Sequence, residues 1–225
     1  ADQASTTLYA PLFRKKQALS GGATGVTGIS VVNTESTLVD VTIEYYPVVT
    51  AACTSGNMVF EGHSIEGNSS YVFWQGLGIL PVPDGCYGSA KITATGKILA
   101  IVNDSVPKGG VYNAEAAAYN AVPADQAGTL VALPLFRSGH TKSYLFTGIS
   151  AMNTGPDPAT ITLKATAADG SVLQGQPKMT ATNVLANQTV VFWPPDFTTT
   201  AGAPWNDVKK AYGSATIEST QPVVV

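Results

Sequence analysis

The sequence predicts an all-β protein made of two tandem β-sandwich domains, immunoglobulin-like or jelly-roll-like, that are related by an internal repeat. One observation is that four short motifs recur in the same order in both halves of the 225-residue chain. Another is that the segments around these motifs are short, rich in β-branched and aromatic residues, and separated by turn residues. The sequence contains no long segment with the 3.6-residue period of a helix.

The four motifs return at nearly constant distances. PLFR recurs after 123 residues (11 to 134), TGIS after 120 (27 to 147), VFW after 119 (72 to 191) and YGSA after 125 (87 to 212). The first four residues, ADQA, also recur after 123 residues (1 to 124). We therefore expect domain 1 at residues 1–123, with a connector at about 103–123, and domain 2 at residues 124–225.

Predicted strands follow from apolar alternation and β-branched content. In domain 1 they lie at 26–33, 38–46, 71–74, 89–95 and 98–102, and in domain 2 at 145–153, 159–167, 189–193 and 214–219. Turn signals separate them, such as Pro-Asp-Gly at 83–85 and Ala-Asp-Gly at 168–170. The segment 112–119, YNAEAAAY, fits either a short helix or a linker between the domains.

The tryptophans are candidate interface residues. Each VFW strand carries a Phe and a Trp on opposite faces, so one ring is expected in the core and the other at a sheet edge or an interface. Trp74, Trp193 and Trp205 are therefore candidate interface aromatics, and a sugar-stacking platform is the alternative.

Repeated glycine and asparagine residues are expected to be architectural. Gly88 and Gly213 each follow a Tyr at the start of a strand, which indicates a bulge or a close approach of two backbones. Asn33 and Asn153 stand before turn residues, and this position predicts Asx-type turns.

Composition limits the classes of partner. Charged residues make up 12% of the chain, about half the usual share, and the net charge is −3. The longest basic run is Arg14-Lys15-Lys16, which is too short to predict a nucleic-acid partner. No stretch reaches the ~18 apolar residues of a membrane helix, so no membrane span is expected. A low-charge β-rich chain is typical of an extracellular or cell-surface protein.

The two cysteines predict one disulfide. An even number of cysteines in such a chain favours a bond between Cys53 and Cys86 and an oxidising compartment, with two buried free thiols as the alternative.

The sequence does not predict an enzyme. His63 and His140 occupy non-equivalent places, and GHSIEG at 62–67 has the wrong spacing for a nucleophile elbow. The carboxylates are scattered, so no catalytic, metal or cofactor site is expected. A calcium ion held by Asp104 or Asp125 remains an alternative, and a hydrolase is the least favoured function.

Three sequons are candidate N-glycosylation acceptors, at Asn68, Asn103 and Asn187. Asn68 and Asn187 each precede a VFW strand by four residues, so a turn asparagine shared by both domains is the alternative interpretation.

The order of the motifs resembles a known class of repeat. LPLF, TGISxxN, VFW and YGSA, followed by a TxPV run, resemble the tandem β-sandwich repeats of large secreted and cell-surface proteins of bacteria and archaea. The resemblance covers the whole chain and implies a structural or adhesive role without catalytic residues. The cysteine pair, present in domain 1 alone, departs from the repeat.

The end of the sequence raises a question about assembly. Aligned at YGSA, Val225 corresponds to Ala100, so the counterpart of 101–123 is not in the sequence. A longer chain, cleavage, or a strand supplied by a neighbouring copy would each explain this. The expectation is the last: residues 1–13 of the next copy dock beside 221–225. The candidate assembly residues are Leu8, Tyr9, Pro11, Leu12, Phe13, Val223, Val224 and Val225.

The favoured function is therefore an extracellular structural protein. The chain is expected to be a subunit of a filament, sheath or surface layer that assembles head-to-tail with copies of itself. The alternative is a carbohydrate-binding or adhesive module of a larger secreted protein, with surface polysaccharide as the partner.

Overall fold

The computed structural model describes residues 3–19, 22–54, 58–75, 82–106, 115–138, 146–168, 178–193 and 211–225. Within these ranges the protein is all-β, as predicted: the strands form two sheets and no α-helix occurs. The chain divides into two compact units, Ala1–Ala127 (unit 1) and Gly128–Val225 (unit 2), and each unit holds one sheet. None of the described segments forms a helix that is long and apolar enough to cross a membrane.

The described part of unit 1 contains nine strands, and all their pairings are antiparallel. They are β1 (Ser5–Lys15), β2 (Gln17–Ala18), β3 (Thr24–Asn33), β4 (Val39–Pro47), β5 (Val59–Ile65), β6 (Ser70–Trp74), β7 (Cys86–Val106), β8 (Glu115–Asn120) and β9 (Val122–Pro123).

The 21-residue strand β7 organises unit 1, because four other strands pair with it. Its first half lies between β1 and β4, and its second half lies between β3 and β8. The ladder with β4 ends at Ala94 and the ladder with β3 begins at Ile98, so the strand changes partners over 95–97. The β1–β7 ladder has register shifts between Ser5 and Thr7 and between Ala10 and Phe13, and such irregularities bend a strand.

One hydrophobic core fills unit 1. Along β4, buried Val41, Ile43 and Tyr45 alternate with more exposed residues. Phe13 of β1 packs edge-on against Tyr45, with ring centroids 5.0 Å apart. Burial of each large apolar side chain is worth roughly 1.5–3 kcal/mol, so this core is the main source of stability. Other core residues are Leu8, Ile29, Val31, Phe73, Ile92, Ile98 and Val102.

The described part of unit 2 contains six strands, arranged around β15. They are β10 (Gly128–Ser138), β11 (Ile149–Asn153), β12 (Ala159–Ala167), β13 (Lys178–Val184), β14 (Thr189–Phe192) and β15 (Ala211–Val224). β10 pairs along one side of β15; on the other side lie β12 and, near the end of β15, β11. β13 and β14 lie on the outer sides of β12 and β11. The core includes Phe136, Ile161, Leu163, Phe192 and Ile217.

Several predicted boundaries are corrected. The segment 115–120 is strand β8 rather than a helix or linker, because pairing with β7 outweighs the helix propensity of its alanines. Much of the connector expected at 103–123 therefore belongs to the sheet of unit 1. β7 is continuous where two strands were predicted. β11 begins at Ile149 instead of 145, and residue 145 lies outside the described ranges.

Two glycines allow strands to pass at close range, as predicted. A Cβ atom at Gly88 would collide with the backbone oxygen of Tyr46, and one at Gly213 would collide with that of Thr166. Both positions therefore require glycine.

Asn33 is fully buried and fixes the turn after β3. Its Oδ1 accepts a hydrogen bond from the N–H of Glu35 at 2.8 Å, which is the predicted Asx-type bond. Its Nδ2 donates to the carbonyl oxygens of Thr37, Ile65 and Glu66, at 2.7, 2.9 and 3.1 Å. The side chain thus ties the turn to the end of β5.

Asn153 does the same in unit 2. Its Oδ1 accepts from the N–H of Gly155 at 2.9 Å, and its Nδ2 donates to the carbonyl oxygens of Asp157 and Val184, at 2.8 and 2.9 Å. These bonds tie the turn after β11 to the end of β13.

We expect Asn153→Ala to lower the free energy of unfolding of unit 2 by about 1–3 kcal/mol, because buried carbonyl groups lose their donor. Urea denaturation measures the change. Asn120→Ala, at an exposed position of β8, is the matched control and should change stability by less than about 0.5 kcal/mol. Equal effects of the two substitutions would contradict the role of Asn153.

Candidate functional site

A buried polar cluster joins β4, β5 and the end of β6 in unit 1. The hydroxyl of Tyr45 donates to Oε2 of Glu61 at 3.0 Å. Nε2 of Gln75 donates to the Tyr45 hydroxyl at 2.7 Å and approaches Glu61 Oε2 at 3.4 Å. Gln75 is fully buried, and its Oε1 has no hydrogen-bond partner among the described residues. This oxygen is a buried hydrogen-bond acceptor without a donor among the described residues.

A buried lysine lies near this cluster. Lys15, the last residue of β1, has a side chain that is 1% exposed, and its Nζ lies 4.0 Å from Oδ1 of Asp84. Burial lowers the pKa of Lys15, while the charges of Asp84 and Glu61 act in the opposite direction. No sequence motif identifies this group; the one available signal is the period of two that places Lys15 on the same face of β1 as Phe13.

Burial shifts the pKa values of two members of this cluster. Burial raises the pKa of Glu61, and the hydrogen bonds from Tyr45 and Gln75 and the charge of Lys15 offset part of this effect. Burial, with the neighbouring Glu61, also raises the pKa of Tyr45 well above its ordinary range. Among the described residues no group of three or more His, Cys, Asp or Glu is placed to bind a metal ion.

The predicted disulfide is confirmed. Cys53 and Cys86 are bonded, both are fully buried, and their Cα atoms lie 4.8 Å apart. The bond joins the segment between β4 and β5 to the first residue of β7, and it lies in unit 1 near Lys15, which pairs with Cys86.

The VFW strands place their rings on opposite faces. Phe73 and Phe192 are in the cores of their units, whereas Trp74 is half-buried and Trp193 is 41% exposed. The ring of Trp193 lies 5.4 Å from that of Phe146, centroid to centroid, so these two exposed rings form an apolar surface on unit 2. Trp205 lies outside the described residues.

The sequon asparagines lie in two kinds of place. Asn68 and Asn187 occupy left-handed turns, with φ of 55° and 61°, directly before β6 and β14. Asn103 lies within β7 and its Nδ2 donates to Oγ of Ser30 at 3.3 Å. The turn role that the sequence suggested for Asn68 and Asn187 fits this geometry.

Two of the residues considered for catalysis or calcium binding, His63 and Asp104, contact other side chains. His63 stacks on Tyr71 with ring centroids 3.7 Å apart, and His140 lies outside the described residues. Asp104 is engaged by Arg14, with Nη1–Oδ2 at 2.5 Å, and Asp125 lies in a 3-10 turn after β9. The described side chains do not bring these residues into one site.

The expected assembly segments are paired within their own units. In β1, Leu8 and Phe13 are fully buried in the core, Tyr9 is nearly so, Pro11 is buried and Leu12 is half-buried. β1 pairs with β7 along its length.

At the other end of the chain, Val223 and Val224 are buried in unit 2, and Val225 is half-buried and packs against its core.

An open backbone edge occurs in unit 2, at a place the sequence did not identify. β11 pairs with β14 on one side over Ile149–Met152, but on the other side it pairs with β15 at Met152 and Asn153 alone. The side of Ile149, Ser150 and Ala151 that faces away from β14 therefore has no strand partner among the described residues. Unpaired strand edges are templates for another strand.

Comparisons with known proteins give little further guidance. No protein family and no curated protein matches the chain in sequence. Among solved structures, it is similar to the crystal structure of Thermotoga maritima 1070, with a TM-score of 0.42 and 11% sequence identity over 54% of this chain and 97% of that one. A likeness at this level carries no argument about fold or function.

We expect the stability difference between Glu61→Gln and the unmodified protein to depend on pH. Because the folded pKa of Glu61 is raised, its contribution is fully present below the ordinary value of 4.5 and is lost as pH rises through the folded value. The glutamine mimics the protonated carboxyl, so the variant should gain stability relative to the unmodified protein as pH rises above 4.5. Urea denaturation at several pH values measures this.

Glu66→Gln, which removes an exposed carboxylate that follows β5, is the matched control. A difference for Glu61→Gln that shrinks as pH rises would mean that Tyr45, Gln75 and Lys15 hold the carboxylate ionised.

Proposed function

We propose that the protein is an extracellular structural subunit that assembles with copies of itself by β-strand addition, into a filament, sheath or surface layer. Its two units are taken to be tandem β-sandwiches of one repeat, the second of which accepts a strand from outside. The observations that carry the proposal are the matching irregularities of two all-β units and the buried disulfide of unit 1.

Matching irregularities in two ladders support the repeat. In the β1–β7 ladder, Ser5 pairs with Ile98 and Thr7 with Thr93. Three residues of β1 (5–7) therefore lie opposite six residues of β7 (93–98). In the β10–β15 ladder the same count separates Gly128–Val223 from Leu130–Glu218.

A second register shift also matches. It falls between Ala10 and Phe13 of β1 and between Leu133 and Phe136 of β10. Bulges are specific features of a strand pairing, so two coincident pairs favour one architecture used twice.

The side of β11 that faces away from β14 is the edge that the proposal assigns to strand addition. β3 pairs with β7 through eight successive residues, Val26–Ser105 to Asn33–Ile98. In β11, whose place in unit 2 is that of β3, two residues find a partner on β15. A strand that adds along this edge would be held by its backbone hydrogen bonds. A contact between two different surfaces of identical subunits propagates into a filament when it does not close.

The contacts of β1 change the identity of the donor. Leu8 and Phe13 fill the core of unit 1, so releasing β1 to a neighbour would remove these large side chains from that core. We therefore place the acceptor at the β11 edge and assign the donor to another extended segment rather than to residues 1–13. The Cys53–Cys86 disulfide supports an oxidising, extracellular location.

A carbohydrate-binding or adhesive module is the second candidate. The exposed Trp193–Phe146 pair favours it, because sugars stack on aromatic faces of this kind. A polysaccharide pull-down that Trp193→Ala abolishes would support this function, and equal retention of both proteins would oppose it.

A variant that carries its own partner strand for β11, called here the self-capped variant, tests the assembly proposal. When the sequence Ile-Val-Asn-Asp-Ser-Val of 101–106 is appended after Val225, the register of β7 places it along β11 of the same molecule. We expect the unmodified chain to form filaments or sheets in electron micrographs, and the self-capped chain to remain dispersed.

A chain extended by six Gly and Ser residues is the matched control and should still assemble. Dispersed particles for the unmodified chain at every concentration would contradict the proposal, and so would assemblies that the self-capped variant forms unchanged.

A further inference from the structure

Strands β6, β3, β7 and β8 lie side by side in unit 1, and one face of this group points away from the core. Ile29, Val31 and Val102 are buried, so the residues that alternate with them in β3 and β7 face outward. The ladders align the outward residues of the four strands in three rows. The rows are Trp74, Gly28, Asn103 and Ala118; Val72, Ser30, Ile101 and Asn120; and Ser70, Val32 and Leu99. We call these eleven positions the outer face.

Exposed aliphatic side chains form a contiguous group on the outer face. Val32, Val72, Leu99 and Ile101 are 40%, 50%, 38% and 45% exposed, and they lie on three adjacent strands. Single exposed apolar side chains are common on protein surfaces, whereas a contiguous group of them marks an interaction surface.

The outer face carries no charged side chain at any of its eleven positions. Two of its central polar side chains bond to each other, because Nδ2 of Asn103 donates to Oγ of Ser30 at 3.3 Å. The ring of Trp74 covers Gly28, where a Cβ atom would lie 2.7 Å from the ring atom Cε3. The centre of the face therefore offers apolar contact rather than charged or polar anchors.

A second outward surface of unit 1, formed by β5, β4 and the first half of β7, has a different chemistry. Asp40, Glu44 and Lys91 point outward there, and Oε2 of Glu44 lies 3.9 Å from Nζ of Lys91. Phe60 lies beside Glu44 and is exposed. Charged side chains keep this second surface hydrated, so the two surfaces of one unit provide a matched comparison.

We infer that the outer face of unit 1 packs against the same face of a second copy of this chain. Identical faces without charge meet without like-charge repulsion, and the aliphatic side chains of both copies leave water. This contact, called here the lateral contact, uses other residues than the β11 edge. It goes beyond the strand addition proposed above and does not require it.

The chemistry of the outer face favours a second copy over a sugar or a charged partner. Small polar ligands are oriented by a few free hydrogen-bonding groups, whereas Ser30 and Asn103 bond to each other. A charged partner would find no complementary charge. The small residues Gly28, Ser30 and Ala118 lie beside branched side chains, so the branched side chains of one copy can interdigitate with those of the other, as in packed sheets.

The size of the outer face determines how strong the lateral contact is. Neighbouring strands lie about 4.8 Å apart and residues on one face of a strand about 6.8 Å apart, so four strands and three rows cover about 400 Å² per copy. A standard interface covers about 800 Å² per partner, so the lateral contact is weak, with a dissociation constant on the order of 0.1 mM. Such contacts gain strength when many copies are held together.

Sedimentation velocity of the full chain, produced without N-glycans because Asn103 lies on the outer face, tests the inference. Ile101→Lys and Val72→Lys each place a charge against the other copy, so each should weaken dimerisation at least about tenfold. Phe60→Lys makes a similar change at an exposed position of the second surface, and it is the matched control that should leave dimerisation unchanged. Ammonium sulfate should strengthen the dimer, since apolar burial drives it.

Cross-linking provides a second measurement that does not depend on the lysine variants. Cys53 and Cys86 are bonded to each other, so one introduced cysteine is the sole free thiol of the chain. Ser30→Cys, in the central row, should give covalent dimers with a short bis-maleimide. Ser64→Cys, on the second surface, is the matched control, because Ser64 is also engaged by a side chain, Asp40, and it should give no dimers.

Three results would overturn the inference: a monomer at every concentration up to about 1 mM, equal dimerisation by Ile101→Lys and Phe60→Lys, or equal cross-linking of Ser30→Cys and Ser64→Cys. Binding of an uncharged polysaccharide that Ile101→Lys abolishes, by a protein that stays monomeric, would assign the face to a glycan and also overturn it.

The outcomes separate the lateral contact from the proposed function. Dimers that Ile101→Lys dissociates, in a protein that never forms larger assemblies, would retain the lateral contact and remove the structural role. Filaments or sheets that Ile101→Lys and Val72→Lys leave unchanged, with no cross-linking of Ser30→Cys, would retain the structural role and remove the lateral contact.

Discussion

Backbone pairing along one long central strand is the constraint on which both units depend. β7 satisfies β1 and β4 with its first half and β3 and β8 with its second half, and the change of partners at 95–97 bends the sheet around a single core. β15 supports β10 and β12 in the same way but reaches β11 with two residues. Among the described residues, eight residues of β3 pair with the central strand of unit 1, and two residues of β11 pair with that of unit 2.

Features that depend on local chemistry were predictable from the sequence. The Asx-type turns at Asn33 and Asn153 follow from one side chain and the residues after it, and the disulfide follows from an even cysteine count in a β-rich chain. Features that depend on tertiary register were not. β5 contains Gly62, and β13 contains many polar residues, so neither has a strong strand pattern. They form strands because they pair with β4 and β12. The Lys15 and Gln75 environment and the β11 edge likewise exist through pairings between residues far apart in sequence.

Buried polar groups take two different roles in this protein. The Tyr45, Glu61 and Gln75 cluster lies within unit 1, and because burial raises the pKa of Glu61 we expect the stability of this unit to depend on pH. The Arg14, Thr27 and Asp104 contact joins β1, β3 and β7, and in unit 2 the N–H of Arg137 donates to Oγ1 of Thr147. A low-charge protein has few such groups, so each one has a large effect on which strands pair and in which register.

Amide hydrogen exchange on the unmodified chain tests the central claim most directly, because it compares the two edges in one molecule. The account predicts strong protection at Ile29, Ser30 and Val31, whose strand is paired on both sides. Among Ile149, Ser150 and Ala151, the amides that face away from β14 should exchange fast in the unassembled protein. The same amides should exchange slowly in the assembled material. Equal protection of both segments in the unassembled protein would mean that the β11 edge is already filled, and would contradict the account.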